Sequence, residues 1–199
     1  MFKDKLVENV HKALLPLVNR CSKILISISG GIDSTVLLDT VSKINKEYNF
    51  KIFLLHINYN MNPNSFKAEN HCEYLAEKYK CQIEMLNVNI SNKNFESKAR
   101  IFRYNQLNRF ARKYNLDIIL TAHHYDDQIE TLYMKKRTNS DWLGYLGIRY
   151  KFGKIVRPML CIPKNDIIAY SKKYNLSWID DLSNNNTDFL RNKIRLEIL

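Results

Sequence analysis

The segment Ser29-Gly30-Gly31-Ile32-Asp33-Ser34 holds residue types suited to binding an anion. Two adjacent glycines free the backbone for tight dihedrals and close approach to a ligand. The apolar run at 24–28 ahead of them reads as a buried parallel strand, and Val36, Leu37 and Leu38 behind them read as a helix lying on the same sheet. A strand that turns through glycines into a helix N-terminus presents outward amides with a partial positive charge, which is a phosphate site. A second set, His123, Asp127 and Glu130, is spaced i, i+4, i+7 and is expected on one helical face. An imidazole and two carboxylates there would hold magnesium, orient an ammonium group or take a proton; zinc suits them less, because no His-Glu-x-x-His spacing accompanies them. A third candidate is Arg103. It falls one turn before Leu107 on the apolar stripe Leu107, Phe110, Ala111, Tyr114, and an inward-facing Arg calls for an anion.

The elements that must carry these groups alternate along the chain. Helix is expected over 1–20 with Pro16 disturbing its end, strand over 51–58, and turn chemistry over 59–65. Helix follows over 66–79, strand over 82–88, helix over 95–113, strand over 117–122, then a helix opened by 123–131. A basic and irregular segment runs from 135 to 150, an extended piece covers 156–160, and a helix starts near Pro163. This pattern predicts an α/β fold with a doubly wound, mainly parallel sheet. Ligands of such sheets sit at the carboxyl ends of the strands. There the sequence places His56 and Asn58 after one strand and Thr121, His123 and His124 after another.

The chain has 199 residues, 45% of them hydrophobic, enough for one good core. No run is long and apolar enough to span a membrane, and the first residues show no signal-peptide core, so a cytoplasmic protein without a membrane partner is expected. The four cysteines include no Cys-x-x-Cys pair, which points to reduced thiols. A formal net charge of +11 favours a polyanionic partner. Lys135, Lys136 and Arg137, with Arg191, Lys193 and Arg195 on a final helix, are the candidate RNA-facing residues.

The glycine loop matches neither the Walker pattern, since no Lys follows Gly31, nor the dinucleotide fingerprint, since no third Gly comes before Gly144. It resembles the PP-loop of the ATP pyrophosphatases, a Rossmann-like family. The resemblance implies that Ser29, Gly30, Gly31, Ile32, Asp33 and Ser34 hold the pyrophosphate of ATP, with Asp33 as a Mg²⁺ ligand. Later motifs narrow it. His56-Ile57-Asn58-Tyr59, Ala99-Arg100-x-x-Arg103-Tyr104, the run from Thr121 to Thr131, Arg157-Pro158-Met159-Leu160, Trp178-Ile179-Asp180-Asp181 and Arg191-Asn192-x-Ile194-Arg195 together resemble the bacterial tRNA(Ile)-lysidine synthases. That family implies an ATP-dependent ligase. ATP adenylates the carbonyl oxygen at carbon 2 of the wobble cytidine of a CAU-anticodon tRNA(Ile), and free lysine then displaces AMP to form lysidine. By the same resemblance Arg103 neutralises phosphate, Asp127 and Glu130 receive lysine's ammonium and proton, and His56, Asn58 and His123 line the nucleotide site.

Residues 1–199 are read as a single PP-loop catalytic domain, with 135–199 as a tRNA-facing extension. The family's C-terminal tRNA-binding domains are expected to be lacking, so weak, salt-sensitive tRNA binding is expected, and a homodimer is kept open. The family's Arg-Gly-Ser/Thr-Gly loop is replaced by Arg137-Thr138-Asn139-Ser140-Asp141-Trp142. Two other readings compete. A PP-loop tRNA thiolase would need a catalytic or cluster-binding cysteine pair, and a non-catalytic basic RNA-binding module would not need Asp33, Ser34, Asp127 and Glu130 intact.

Overall fold

Alternation along the strands decides how the helices are layered. A computed structural model describes residues 2–60, 65–90, 95–137 and 145–180. Within them, β1 (Lys23–Ser27), β2 (Lys51–Asn58), β3 (Gln82–Asn87), β4 (Ile118–Leu120), β5 (Lys151–Phe152) and β6 (Ile155–Val156) form one sheet in the order β3-β2-β1-β4-β6-β5. The helices are α1 (Lys5–Leu14), α2 (Ile32–Tyr48), α3 (Ser65–Lys78), α4 (Phe95–Lys113), α5 (Tyr125–Arg137) and α6 (Lys164–Lys173). Leu25, Phe53, Leu55, Ile119 and Ile155 pack with Leu107, Phe110 and Ala111 of α4. Their neighbours Ile24, Ile26, Ile52, Leu54, Leu120 and Val156 face the other way, against α1, α2, α3 and α6. Helices therefore cover both faces, as a parallel sheet with two buried sides requires.

Four strands, β1 to β4, are mutually parallel, and β6 adds parallel to β4. The chain lays down β1, β2 and β3 in one direction and then returns to place β4 on the free side of β1. The crevice of such a sheet opens where the order reverses, at the carboxyl ends of β1 and β4. The mainly parallel, doubly wound architecture is thus the one the sequence pattern predicts.

Several boundaries differ from expectation for local reasons. The first helix occupies only Lys5–Leu14: Asp4 caps it by accepting from Leu6 N (3.0 Å), and Pro16 lies just beyond its end. Within 156–160 only Val156 is strand, since Pro158 has no N–H to offer a ladder. The piece before it, to which the sequence pattern assigns no element, supplies β5, which pairs antiparallel to β6 around Gly153 at φ +57°. Among the described residues no helix is long and apolar enough to cross a membrane.

A buried polar network fastens three helices on one face. Asp39 of α2 accepts from Tyr79 OH, just past α3, at 2.8 Å and from Tyr170 OH of α6 at 2.6 Å, and pairs with Lys43 at 2.9 Å. Burial, reinforced by the Asp39 carboxylate, holds both phenols in their protonated form. The Lys43 ammonium also lies 3.0 Å from the Tyr174 ring centroid. Removing one member of a buried charge pair leaves the others uncompensated. Asp39→Ala is expected to cost about 3–5 kcal/mol and to lower the melting temperature by roughly 10 °C, read by thermal denaturation; a change under about one degree would show that the network carries no stability.

Candidate active site

The loop after β1 is shaped by its glycines and two serines. Gly30 takes φ +82°, and a Cβ there would lie 3.2 Å from the Ala68 carbonyl and 3.4 Å from Cys72 Sγ, so both the dihedral and the approach of α3 require glycine. Ser34 Oγ donates to Gly31 O (3.0 Å) and accepts from Ser29 N (3.2 Å), while Gly31 N donates to Ser29 Oγ (3.3 Å). Gly31 begins α2 without a side-chain cap. The first amides of α2 are therefore left to an external acceptor, which is what a phosphate supplies.

Opposite the loop, after β4, stand the residues of the second set. Asp127 accepts the backbone N–H of His124 (2.9 Å), the reach-back bond that an acid at the third position makes at a helix start. The His124 imidazole is buried, with Nε2 3.6 Å from Asp127 Oδ2 and 3.8 Å from Asp33 Oδ2, and Nδ1 3.9 Å from Asp126 Oδ1. Asp126 in turn accepts from the backbone N–H of Lys164 (3.1 Å), capping α6 from a neighbouring helix where Pro163 offers no cap. The Lys164 ammonium meets the Asp33 carboxylate. The N-termini of α2, α5 and α6 thus converge on one place, with Asp33, Asp126 and Asp127 around one buried imidazole.

His123 occupies different ground. It lies before α5 begins, bonded through Nδ1 to Thr121 Oγ1 (2.9 Å), and so does not share a helical face with Asp127 and Glu130 as its spacing suggests. Burial pushes its pKa down to about 3; the Asp127 carboxylate opposes this, and the guanidinium groups of Arg103, Arg157 and Arg100 add to it. Arg103 accordingly stands close enough to act on the carboxyl end of β4, and its field also reaches Tyr59. Arg157 is buried, donating to Arg149 O (2.6 Å) and Tyr104 OH (3.0 Å).

At the end of β2, His56 donates from Nδ1 to Ile28 O (3.0 Å), because a carbonyl only accepts. Its Nε2 then carries a lone pair, buried and without a partner among the described residues. Burial keeps this imidazole neutral. Asn58 is engaged at both ends of its amide, donating to Ser65 Oγ (3.2 Å) and accepting from Asn60 N (2.8 Å), so it shapes the following loop. Cys72, packed against His56, has its thiol pushed up to about 12 by burial, and Cys81 to about 11.

Sequence reasoning had therefore placed Ser29 to Ser34, Asp127 and Glu130 on the elements that meet; Glu130 is buried one turn along α5 from Asp127. Lys135, Lys136 and Arg137 form the exposed last turn of α5, at the opposite end of that helix from Asp127. Arg191, Lys193 and Arg195 lie outside the described residues. The sequence reading missed Lys164 as a member of the site, and it placed His124 at the strand end without giving it a role. The His-His pair flagged one of the two imidazoles, but the face each one takes is set by how the chain leaves β4. Lys164 had only its place behind Pro163, at the start of a helix, as a signal.

One mainly parallel sheet covered by helices on both faces, with a two-glycine turn running into a helix at its switch point, defines a doubly wound α/β protein. The PP-loop domain model matches residues 3–199, and the chain belongs to that family. It is 39% identical over 181 residues to the tRNA(Ile)-lysidine synthase of Buchnera aphidicola subsp. Acyrthosiphon pisum, covering 88% of this chain and 41% of that protein. The enzyme of the same name from Wigglesworthia glossinidia brevipalpis is 40% identical over 190 residues, covering 88% of this chain and 47% of that protein. The chain thus spans less than half the length of these curated relatives. Among solved structures, a U34-tRNA thiolase from Methanococcus maripaludis with its [4Fe-4S] cluster matches with a TM-score of 0.76 at 19% identity, over 90% of this chain and 67% of that one. An NH3-dependent NAD synthetase from Campylobacter jejuni matches with a TM-score of 0.59 at 14% identity, over 86% of this chain and 71% of that one. Both show a shared fold.

Histidines held neutral by their surroundings make the fold acid-sensitive. His123 is held below its ordinary value of 6.5, to about 3, and His56 and His71 are also lowered, chiefly by burial. The unfolded chain then binds more protons than the native one between these values, so stability is present above pH 6.5 and is lost as the pH falls toward 3. Urea denaturation at stepped pH should show this loss, and His123→Gln should reduce its slope by up to one proton; an unchanged slope would place His123 in solvent.

Proposed function

We propose that the chain catalyses ATP-dependent ligation of free lysine to carbon 2 of the wobble cytidine in CAU-anticodon tRNA(Ile), in the cytoplasm. The observation that carries the reading is the meeting of the uncapped α2 start, through Asp33, with His124 and Asp127 at the start of α5 at one switch point, in a chain 39–40% identical to lysidine synthases. Membership of the PP-loop domain family implies use of ATP. One site then offers phosphate binding and, beside it, carboxylates suited to an amine.

The reaction has two bond exchanges. The cytidine O2 attacks the α-phosphorus, the bond to the bridging oxygen breaks, and pyrophosphate leaves. The lysine ε-amine then attacks carbon 2, and the C–O bond breaks with AMP as leaving group. The loop amides at the start of α2 receive the pyrophosphate, and Arg103 offsets charge that grows in the first step. Asp127 and Glu130 hold lysine's ammonium and take its proton as it becomes a nucleophile. His56 Nε2, an acceptor held at the end of β2, suits a donor such as the adenine amine. The donor set also fits Mg²⁺, which takes one or two carboxylates together with phosphate oxygens; Asp33 would hold it, with Asp127 across His124. The ion supplies charge neutralisation at the phosphates when bound.

Incubation with ATP, Mg²⁺, lysine and a CAU-anticodon tRNA(Ile) transcript, followed by nucleoside mass spectrometry, should yield lysidine; an unmodified wobble cytidine would reject the reading. Asp33→Asn is expected to abolish AMP formation with little change in melting temperature, and normal turnover by that variant would remove Asp33 from the site. Arg103→Ala should lower the adenylation rate by about two orders of magnitude, the scale of losing one charge-stabilising donor. A rate equal to that of the unaltered chain would make Arg103 structural.

A further inference from the structure

Lys164 lies 131 residues from Asp33 in sequence, yet its ammonium meets the Asp33 carboxylate inside the anion loop. The helix that carries it is fixed at two points. Asp126 Oδ1 holds the Lys164 backbone N–H at 3.1 Å, and Tyr170 OH, nearly two turns on, bonds Asp39 Oδ2 of α2 at 2.6 Å. Both partners of the pair are about 30% exposed, so they line the mouth of the site and are reachable by a ligand.

A carboxylate inside a phosphate loop poses an electrostatic problem. Any phosphate seated on the first amides of α2 comes next to the negative charge of Asp33, and the two repel unless a cation stands between them. A lysine ammonium has three donors on a flexible stem. One satisfies Asp33 and the others remain for phosphate oxygens. Asp126 and Asp127 have other engagements: Asp126 accepts from the backbone amide of Lys164 at the start of α6, and Asp127 from that of His124, just before α5.

We propose that Lys164 is a nucleotide-binding residue, its ammonium bridging the Asp33 carboxylate and the pyrophosphate end of ATP. The assignment rests on the ATP chemistry inferred above but not on lysine or tRNA. Lys164→Met keeps the stem and removes the charge. Calorimetric titration of the 199-residue chain with a non-hydrolysable ATP analogue, at fixed Mg²⁺ and without tRNA or lysine, should show binding weakened about tenfold or more, the scale of losing one charged hydrogen bond. AMP has no pyrophosphate, so its affinity should stay within about twofold of that of the unaltered chain.

Unchanged or tighter binding of the ATP analogue by Lys164→Met would overturn the proposal. So would equal loss of ATP and AMP binding, which marks a merely structural role, and so would an unaltered chain that binds no ATP. A chain that forms no lysidine but binds ATP in this Lys164-dependent way would reject the proposed reaction and leave the assignment of Lys164 standing.

Discussion

Three helix N-termini pointing at one spot create a concentration of partial positive charge that the protein must offset. In this chain α2, α5 and α6 start together, and Asp33, Asp126 and Asp127 stand in or beside their first turns around the buried imidazole of His124. The arrangement is possible because the sheet order reverses between β1 and β4, so that the loops after those two strands face each other across a crevice. Each acid also has a definite structural engagement. Asp127 closes the start of α5, Asp126 caps α6, and Asp33 meets Lys164. The same carboxylates that stabilise the helix ends are thereby gathered around one imidazole.

The site is held from behind by the core and by the Asp39 network. Tyr170 and Asp39 tie the helix that carries Lys164 to the helix that carries Asp33. On the same face the apolar side chains of α1, α2, α3 and α6 pack against Ile24, Ile26, Leu54 and Leu120. A shift of α6 relative to α2 would separate Lys164 from Asp33 and would also break a buried polar network, so the stability of the layer and the geometry of the site are coupled.

Features encoded by local patterns were legible in the sequence. The expected strand over 51–58 is β2, Lys51–Asn58, and the expected helix over 95–113 is α4, Phe95–Lys113, because apolar periodicity and turn residues bound both. The anion loop was legible because two glycines between an apolar strand and an apolar helix admit few other geometries. What sequence could not supply were facts of tertiary placement. The pairing of Lys164 with Asp33 spans 131 positions, and nothing near Lys164 announces a partner. The choice between His123 and His124 depends on where α5 begins, at Tyr125, which puts His123 on the strand exit. The β5–β6 hairpin is two residues per strand, too short for any period to register.

The central claim is that this crevice cleaves ATP between its α- and β-phosphates. It is tested most directly by incubating the chain with ATP labelled at the α-phosphate, Mg²⁺ and a CAU-anticodon tRNA(Ile) transcript, with and without lysine, and resolving the labelled products over time. The account predicts that lysine drives accumulation of labelled AMP with stoichiometric pyrophosphate. Labelled ADP as the product, or no tRNA-dependent cleavage of ATP, would contradict it.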